Sequence, residues 1–396
     1  MRRSQVASVP AAVMLGAVFV SLLAGCTSTA ARPPASRLVS QQAILKGSDV
    51  IGSVMFGTST AISGATAVVG TAGASDAGRA YVFRKTASGW TQVAELKGSD
   101  AKAEDGFASS VAISGTTIVV GAPGHADNAG RAYVFAQTSS GWKQVAELEG
   151  SDTLADESFG WSVAISGTTI VVGAVGYHAY AGKAYVFSET GSAWTQTAEL
   201  VPSPSKAKDG FGTSVAVSGS TAIVGAEGVD KAGATFVFAK SLLGWTQVAQ
   251  LKGSDTADGD SFGASVGISG SRAVVGAYGH AASSGRAYVF TGTDGVWTQA
   301  AELKGSDTSA GDYFGVSVAI SGTTVVVGAY ESAKQAGRAY LFKQKVSGWK
   351  QTAELTGSNI AKADFLGSSA AISGTTVVVG AYGYGGRAGR AYVYNA

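Results

Sequence analysis

Short apolar runs separated by turn residues cover most of the chain after residue 40. One group of four such runs begins with an alternating run, Ser110 to Ser114, and continues with an unbroken apolar run, Thr117 to Ala122. Two further runs, Arg131 to Phe135 and Trp142 to Leu148, complete it. Alternation predicts a half-buried strand, and a short continuous apolar run predicts a strand buried on both faces. The set therefore predicts four strands, and no stretch shows helical periodicity.

This set of four strands recurs seven times. The glycine after the first strand marks each copy at intervals of 51 or 52 residues, at Gly64, Gly115, Gly167, Gly219, Gly270, Gly322 and Gly374. Such a period is typical of a radial array, because one unit cannot bury its own apolar faces. The sequence therefore predicts an all-β fold, a seven-bladed β-propeller of four-stranded antiparallel blades.

The two ends of the repeat region predict how the ring closes. The last unit stops at Ala396, after its third strand, whereas Gln41 to Leu45 aligns with the fourth-strand segment Gln92 to Leu96. We expect the N-terminal strand to complete the last blade, so that no edge stays open. The propeller is assigned to residues 39–396.

Residues 1–25 have the features of a secretory signal. Arg2 and Arg3 precede an apolar stretch that ends in Leu-Ala-Gly before Cys26. This ending resembles the bacterial lipoprotein box, which implies cleavage before Cys26 and its lipidation; an ordinary signal peptide is the alternative. Cys26 is the only cysteine, so no intramolecular disulfide can form. Residues 26–38 are small, polar and contain prolines, which predicts a flexible tether.

The charge of the chain is nearly balanced. Lys and Arg total 29 and Asp and Glu total 27, and removal of the signal would take away Arg2 and Arg3. A neutral surface has no general attraction for nucleic acid, so we expect no nucleic-acid partner. The chain is interpreted as a monomer that contacts the membrane only through its lipid anchor.

The Phe-Gly pairs, such as Phe56-Gly57 and Phe159-Gly160, and the later Val-Gly-Ala motif resemble FG-GAP repeats, the units of the integrin alpha-chain propeller. The resemblance covers residues 41–396 and implies a propeller. The integrin-type repeat binds calcium in an Asp-rich loop between its first two strands. Here that loop is Ser-Gly-Thr-Thr, as at Ser114 to Thr117, and lacks a carboxylate. We therefore expect neither calcium in this loop nor another cofactor, and the family's ligand binding is not carried over.

Charged residues recur at two places in the repeat. An aspartate closes each Gly-Ser-Asp turn, and a base begins the third strand. The fourth unit lacks both the aspartate and the base, which indicates that the two residues pair with each other. We therefore predict five structural ion pairs: Asp49 with Arg79, Asp100 with Arg131, Asp152 with Lys183, Asp255 with Arg286, and Asp307 with Arg338. No metal site is predicted. The acidic loop Asp255 to Asp260 is interpreted as solvated, with cation binding as its alternative.

The loops from strand four to one and from strand two to three share one face, here called the long-loop face. Trp161 breaks the repeat there, because other units have small residues at its position. The candidate ligand-binding residues on this face are Trp161, Tyr177, His178, Tyr180, Tyr278, His280, Tyr330 and Tyr382. Such aromatics suit stacking on sugars or anchoring a protein, and loop packing is the alternative. The histidines, which include His125, are expected to be exposed.

These observations predict a non-catalytic cell-envelope lipoprotein whose long-loop face binds a protein or glycan. It would be anchored on the outer side of the cytoplasmic membrane or in the outer membrane. An enzyme acting on polysaccharides is one alternative, and it requires a non-repeated cluster of carboxylates or histidines at the central mouth. A purely structural envelope protein is the other.

Overall fold

In the computed structural model, seven antiparallel sheets form a ring around a central channel. The structure describes residues 37–39, 41–72, 77–293 and 295–396. This part of the chain has the predicted seven-bladed β-propeller fold. The predicted signal peptide, Cys26 and the first part of the tether lie outside the described residues. None of the helical segments described is long and apolar enough to cross a bilayer.

Each blade contains four strands, counted outward from the channel. Blade 1 contains Ser59–Ser63, Thr66–Gly70, Ala80–Thr86 and Gly89–Leu96; blade 2 contains Ser110–Ser114, Thr117–Ala122, Arg131–Thr138 and Gly141–Leu148; blade 3 contains Phe159–Ser166, Thr169–Ala174, Lys183–Thr190 and Ala193–Leu200. Blade 4 contains Phe211–Ser218, Thr221–Ala226, Ala234–Ser241 and Gly244–Leu251; blade 5 contains Phe262–Ser269, Arg272–Ala277, Arg286–Thr293 and Val296–Leu303. Blade 6 contains Ser317–Ser321, Thr324–Ala329, Arg338–Lys345 and Gly348–Leu355; blade 7 contains Leu366–Ser373, Thr376–Ala381, Arg390–Asn395 and Gln41–Leu45.

The ring closes through the N-terminal strand, as predicted. Gln41–Leu45 pairs antiparallel with Arg390–Asn395, the third strand of blade 7. The Gln41 side chain also accepts a hydrogen bond from the backbone N–H of Ser358 at 3.0 Å. Gln92 makes the equivalent contact with Ser48 in blade 1. The N-terminal segment thus takes the place of an ordinary fourth strand.

A short additional strand precedes the closing strand. Arg37–Leu38 pairs in parallel with the outer strand of blade 6, with Arg37 opposite Ala353 and Leu38 opposite Glu354. Residues 37 and 38 were assigned to the tether from sequence. In the structure they already belong to the propeller, because the outer strand of a blade offers a free edge for pairing.

The hydrophobic core lies between consecutive blades. The second strands are buried on both faces, and Val119, Val171 and Val326 have no exposed surface. Burial on two sides explains why these strands are continuously apolar. The fourth-strand tryptophans are half-buried at the edges of these clusters, as Trp142 is between blades 1 and 2.

The Phe-Gly motif forms the junction between blades. The backbone N–H of Phe159 donates to the Ala129 carbonyl at 2.9 Å, and its buried ring packs on Tyr185 at 5.4 Å. Gly130 has φ +87° at this junction, and a Cβ there would lie 2.0 Å from the Phe159 carbonyl oxygen. The Ala-Gly-Arg motif therefore needs glycine both for its backbone conformation and for the close approach of the next blade.

The first-strand serines add a second set of contacts between blades. Ser110 donates from Oγ to the Gly160 carbonyl at 2.8 Å, and Ser114 accepts from the Gly167 N–H at 3.1 Å. The Ser369 hydroxyl bonds to the Gly57 carbonyl at 2.8 Å, so the contact also crosses the closure from blade 7 to blade 1. These bonds satisfy polar groups beside the channel.

The loops between the second and third strands contain short helical turns that the sequence did not predict. They comprise His125–Asn128, Tyr177–Tyr180, the 3₁₀ turn Val229–Lys231, His280–Ser283, Ser332–Gln335 and Tyr384–Arg387. Their central residues are left-handed: Ala281 has φ 51° and ψ 59°, and Ala282 has φ 57° and ψ 44°. This conformation disfavours residues with a Cβ, and backbone hydrogen bonds such as Gly285 N–H to the His280 carbonyl hold the turn.

Replacing Ala282 with glycine should raise the free energy of unfolding by about 1 kcal/mol, since glycine removes the strain without loss of packing at this exposed site. Urea denaturation measures the difference. Thr298→Gly, at an exposed and regularly paired strand position of the same blade, is the control and should be destabilising. Destabilisation by Ala282→Gly as well would contradict the assignment of strain to this turn.

Candidate functional site

The channel opens on the long-loop face in a shallow mouth. Its cavity of about 270 Å³ is lined by the beginnings of all seven first strands. The residues after the Phe-Gly position form a ring there: Thr58, Ser109, Trp161, Thr213, Ala264, Val316 and Ser368. Trp161 is 49% exposed. The structure therefore places this predicted binding residue at the mouth, among otherwise small side chains.

An arc of five aromatic rings runs over blades 5, 6 and 7 on the same face. The rings follow one another in the order Tyr278, Tyr313, Tyr330, Phe365 and Tyr382, with centroids 5.2–5.9 Å apart. All five are half-buried. Tyr278, Tyr330 and Tyr382 were singled out in the sequence, whereas Tyr313 and Phe365 were missed. We call this set the aromatic arc.

Two members of the arc have left-handed backbones. Tyr313 has φ 57° and Phe365 has φ 58°, at a position that Gly106 and Gly210 occupy in blades 2 and 4. A bulky side chain at positive φ is strained, but Met55, Ser158 and Ser261 have the same conformation at this position, so it belongs to the repeated junction between blades. An aromatic residue directly before the Phe-Gly position was the signal in the sequence that could have identified both residues.

Burial disfavours the ionised form of three phenols of the arc, those of Tyr278, Tyr330 and Tyr382. It raises the pKa of Tyr278 and Tyr382, and together with the nearby Glu331 charge it raises the pKa of Tyr330 to about 12. The phenols are therefore hydrogen-bond donors at neutral pH, and the arc combines apolar faces with polar edges.

Glu227 lies beside the end of the arc and was also missed. Its carboxylate accepts hydrogen bonds from the Thr213 and Tyr278 hydroxyls, each at 3.5 Å. Burial raises the pKa of Glu227, and these two hydrogen bonds oppose the shift. Thr213 belongs to the ring of the mouth, so Glu227 connects the mouth with the aromatic arc.

The other predicted aromatic residues form a separate group on blade 3. His178 stacks on Tyr177 with a centroid distance of 4.1 Å, and the ammonium of Lys183 lies 4.0 Å from the centre of the Tyr177 ring. Tyr180 is 61% exposed. Among the residues described, no ring contact joins this group to the aromatic arc, which begins two blades further along the ring.

Three of the five predicted ion pairs are present as contacts. Arg79 pairs with Asp49 in blade 1, and Arg338 pairs with Asp307 in blade 6. In blade 3 the buried Lys183 lies 2.6 Å from Asp152. Burial alone would raise the pKa of Asp152, but hydrogen bonds from Lys183 and Tyr185 outweigh it and lower that pKa. These pairs fix the loop to the blade.

The other two pairs were predicted with the wrong partners. Arg131 contacts Glu147 and Glu149 rather than Asp100. Arg286 likewise contacts Glu302 instead of Asp255. In both blades a histidine of the loop between the second and third strands contacts the aspartate. The base then contacts only acids in, or directly after, the fourth strand.

These two histidines are not exposed, contrary to the prediction. His125 is 9% exposed, with Nδ1 2.9 Å from Asp105 and Nε2 3.5 Å from Asp100. His280 repeats the arrangement in blade 5, with Nδ1 2.8 Å from Asp260. His280 thus bridges loop carboxylates and is not part of the aromatic arc.

The family comparison agrees with this architecture. The FG-GAP repeat model matches seven segments, residues 39–83, 90–135, 142–187, 194–238, 245–290, 297–342 and 349–394. The chain belongs to the FG-GAP repeat family. No curated protein matches the sequence.

Solved structures with the same fold are distant in sequence from this FG-GAP propeller. A chain of the mitotic checkpoint complex is 12% identical, with a TM-score of 0.58 over 97% of this chain and 99% of that chain. Sqt1 of Saccharomyces cerevisiae is 10% identical, with a TM-score of 0.50 over 91% and 100%. A Bacteroides fragilis protein described as a 6-phosphogluconolactonase is 11% identical, with a TM-score of 0.54 over 76% and 84%. At these identities the likeness shows the fold alone.

Among the described residues of this FG-GAP propeller, one group of side chains has donor atoms close enough together to hold a metal ion. Donor atoms of Asp100, His125 and Glu147 lie within 4.8 Å of one another. Each already has a protein partner: Tyr133 donates to Asp100, Asp105 contacts His125, and Arg131 pairs with Glu147. These contacts hold the three side chains in place within the blade.

The acidic loop before blade 5 does not direct its three carboxylates to one point. Asp255 accepts from the Tyr288 hydroxyl at 2.8 Å, and Asp260 accepts from the Ala257 N–H at 2.8 Å. Asp258 is exposed and lies 3.9 Å from Lys231. The three acids therefore have different partners.

Proposed function

We propose that this FG-GAP propeller is a non-catalytic lipoprotein of the cell envelope that binds a glycan on its long-loop face. The lipoprotein part rests on the sequence before Thr27, with Cys26 as the anchored residue. The binding part rests on residues that the seven units do not all share: Trp161 and the aromatic residues of blades 5, 6 and 7. Residues common to the units serve the junctions between blades.

The observation that carries the proposal is the aromatic arc next to the mouth. Aromatic faces stack on the apolar faces of sugar rings, while phenol hydroxyls bond to sugar hydroxyls. A series of half-buried rings beside a cavity lined by Trp161 offers successive positions for the sugars of a chain. Ligand sites combine such apolar walls with a few polar groups.

Catalysis on polysaccharides would require more than this site contains. Glycoside hydrolases use two carboxyl groups separated by about 5–9.5 Å. The described residues that line the mouth include neither Asp nor Glu, and the nearby Glu227 is a single carboxylate. The site therefore favours binding without cleavage.

Tyr330→Ala should weaken glycan binding about tenfold or more, because it removes the middle ring of the arc. A glycan array followed by calorimetry with the purified full chain measures the effect. Tyr180→Ala is the matched control, since it removes an exposed tyrosine outside the arc. Equal affinities for wild type and the Tyr330 variant would exclude the arc as the site, and binding to proteins only would replace the glycan with a protein partner.

A further inference from the structure

Glu227 is a carboxylate that occurs once in the sevenfold repeat. It follows the Gly-Ala that ends the second strand, where the other blades have Ala72, Pro123, Val175, Tyr278, Tyr330 and Tyr382. All the other residues at this position are uncharged. The other six blades form without a charge at this position, so the propeller fold does not require the carboxylate of Glu227.

The charge of Glu227 has no basic partner in the described part of the chain. Its carboxylate accepts only the long hydrogen bonds from Thr213 and Tyr278, and no base contributes to its pKa. A half-buried carboxylate without a cation is costly, and a ligand that supplies one would recover that cost. The carboxylates of the ion pairs, such as Asp152, differ because each has a base within contact.

The surroundings of Glu227 select the kind of cation. One carboxylate and two hydroxyls provide too few oxygens for a calcium ion, which takes six to eight. An organic ammonium needs fewer partners and is also attracted to aromatic faces. Tyr278 contacts Glu227 directly, and Trp161 lines the same mouth cavity as Thr213.

We propose that Glu227 recognises a protonated amino group, and that the ligand of this face is a glycan with free amino sugars. The inference rests on the proposed function and specifies its ligand. The ammonium lies against the carboxylate at the end of the arc, and the sugar rings extend over Tyr278 towards Tyr330. N-acetylation of the amino group removes the positive charge and leaves Glu227 without a partner.

The test compares two oligosaccharides of equal length, one of β-1,4-linked glucosamine and one of β-1,4-linked N-acetylglucosamine. Calorimetry with the full chain, at a pH where the amines are protonated, should show at least about tenfold tighter binding of the glucosamine oligomer. Glu227→Gln should abolish this preference. Glu331→Gln is the matched control, because it removes an acid next to the arc residue Tyr330 and should keep the preference.

The outcomes separate the two proposals. Equal binding of both oligomers, or a preference that survives in the Glu227 variant, would overturn the assignment of Glu227 and leave glycan binding intact. Loss of the preference in both variants would show a general effect of charge and would also overturn it. Binding of neither oligomer, with glycan-array binding of a neutral glycan, overturns only the amino-sugar assignment; no glycan binding at all overturns both proposals. Thermal unfolding of each variant verifies that it is folded.

Discussion

Gly130→Ala should lower the free energy of unfolding by about 3 kcal/mol or more. A Cβ at this position meets the carbonyl oxygen of Phe159 at 2.0 Å, and φ of +87° is strained for alanine. The obstacle is backbone of the next blade, which cannot move without separating the two blades. Both the local conformation and the packing of the junction are therefore affected.

Urea denaturation of the Gly130 variant provides the measurement, and Gly115→Ala in the same blade is its control. Gly115 also has positive φ, +58°, but a Cβ added there would have open space within 4 Å. The control should cost only about 1 kcal/mol for the conformation. Similar losses in both variants would mean that the junction can adapt, and that the close approach does not explain the recurring glycine.

Deletion of residues 1–46 should destabilise the propeller by about 5 kcal/mol or more, because it removes the closing strand. Leu45 is 1% exposed in the core between blades 7 and 1, and loss of such a side chain alone costs about 2–5 kcal/mol. The deletion also exposes the edge of Arg390–Asn395, which would favour association between molecules. Thermal unfolding and light scattering measure these two effects.

Deletion of residues 1–36 is the matched control, since it retains both Arg37–Leu38 and the closing strand. Its thermal unfolding should equal that of the full chain. If the longer deletion unfolds at the same temperature as the shorter one, closure by Gln41–Leu45 does not stabilise the ring.

The architecture could be predicted because its determinants are local and repeated. The alternating and continuous apolar runs identify the strands, and the interval between glycines such as Gly64 and Gly115 counts the blades. The match of Gln41 to Leu45 with a fourth strand was enough to predict the closure. Each of these features recurs, so one unit supports the interpretation of the next.

The partners of the charged residues were predictable only in part. Arg79 and Arg131 stand at equivalent positions and both contact a fourth-strand glutamate, yet only Arg79 also contacts the loop aspartate. The fourth-strand acid lies near the base in both blades, so a single neighbour of the loop aspartate decides whether the second contact forms. That neighbour is His125 in blade 2, and its buried position depends on a left-handed turn that hydrophobic periodicity does not reveal.

The sequence alone determined the seven blades, their strands and the closure of the ring, since these depend on a pattern that every unit repeats. Only the tertiary structure brought Tyr313 next to Tyr278 and Tyr330, or Glu227 next to Thr213 and Tyr278. Each contact joins two segments that are separate in sequence, and two of the four join different blades. Glu227 occurs at its position in one unit, and the arc residues occur only in blades 5, 6 and 7, so a pattern shared by all seven units carries no information about these contacts. The candidate site emerges only when the ring places these loops side by side.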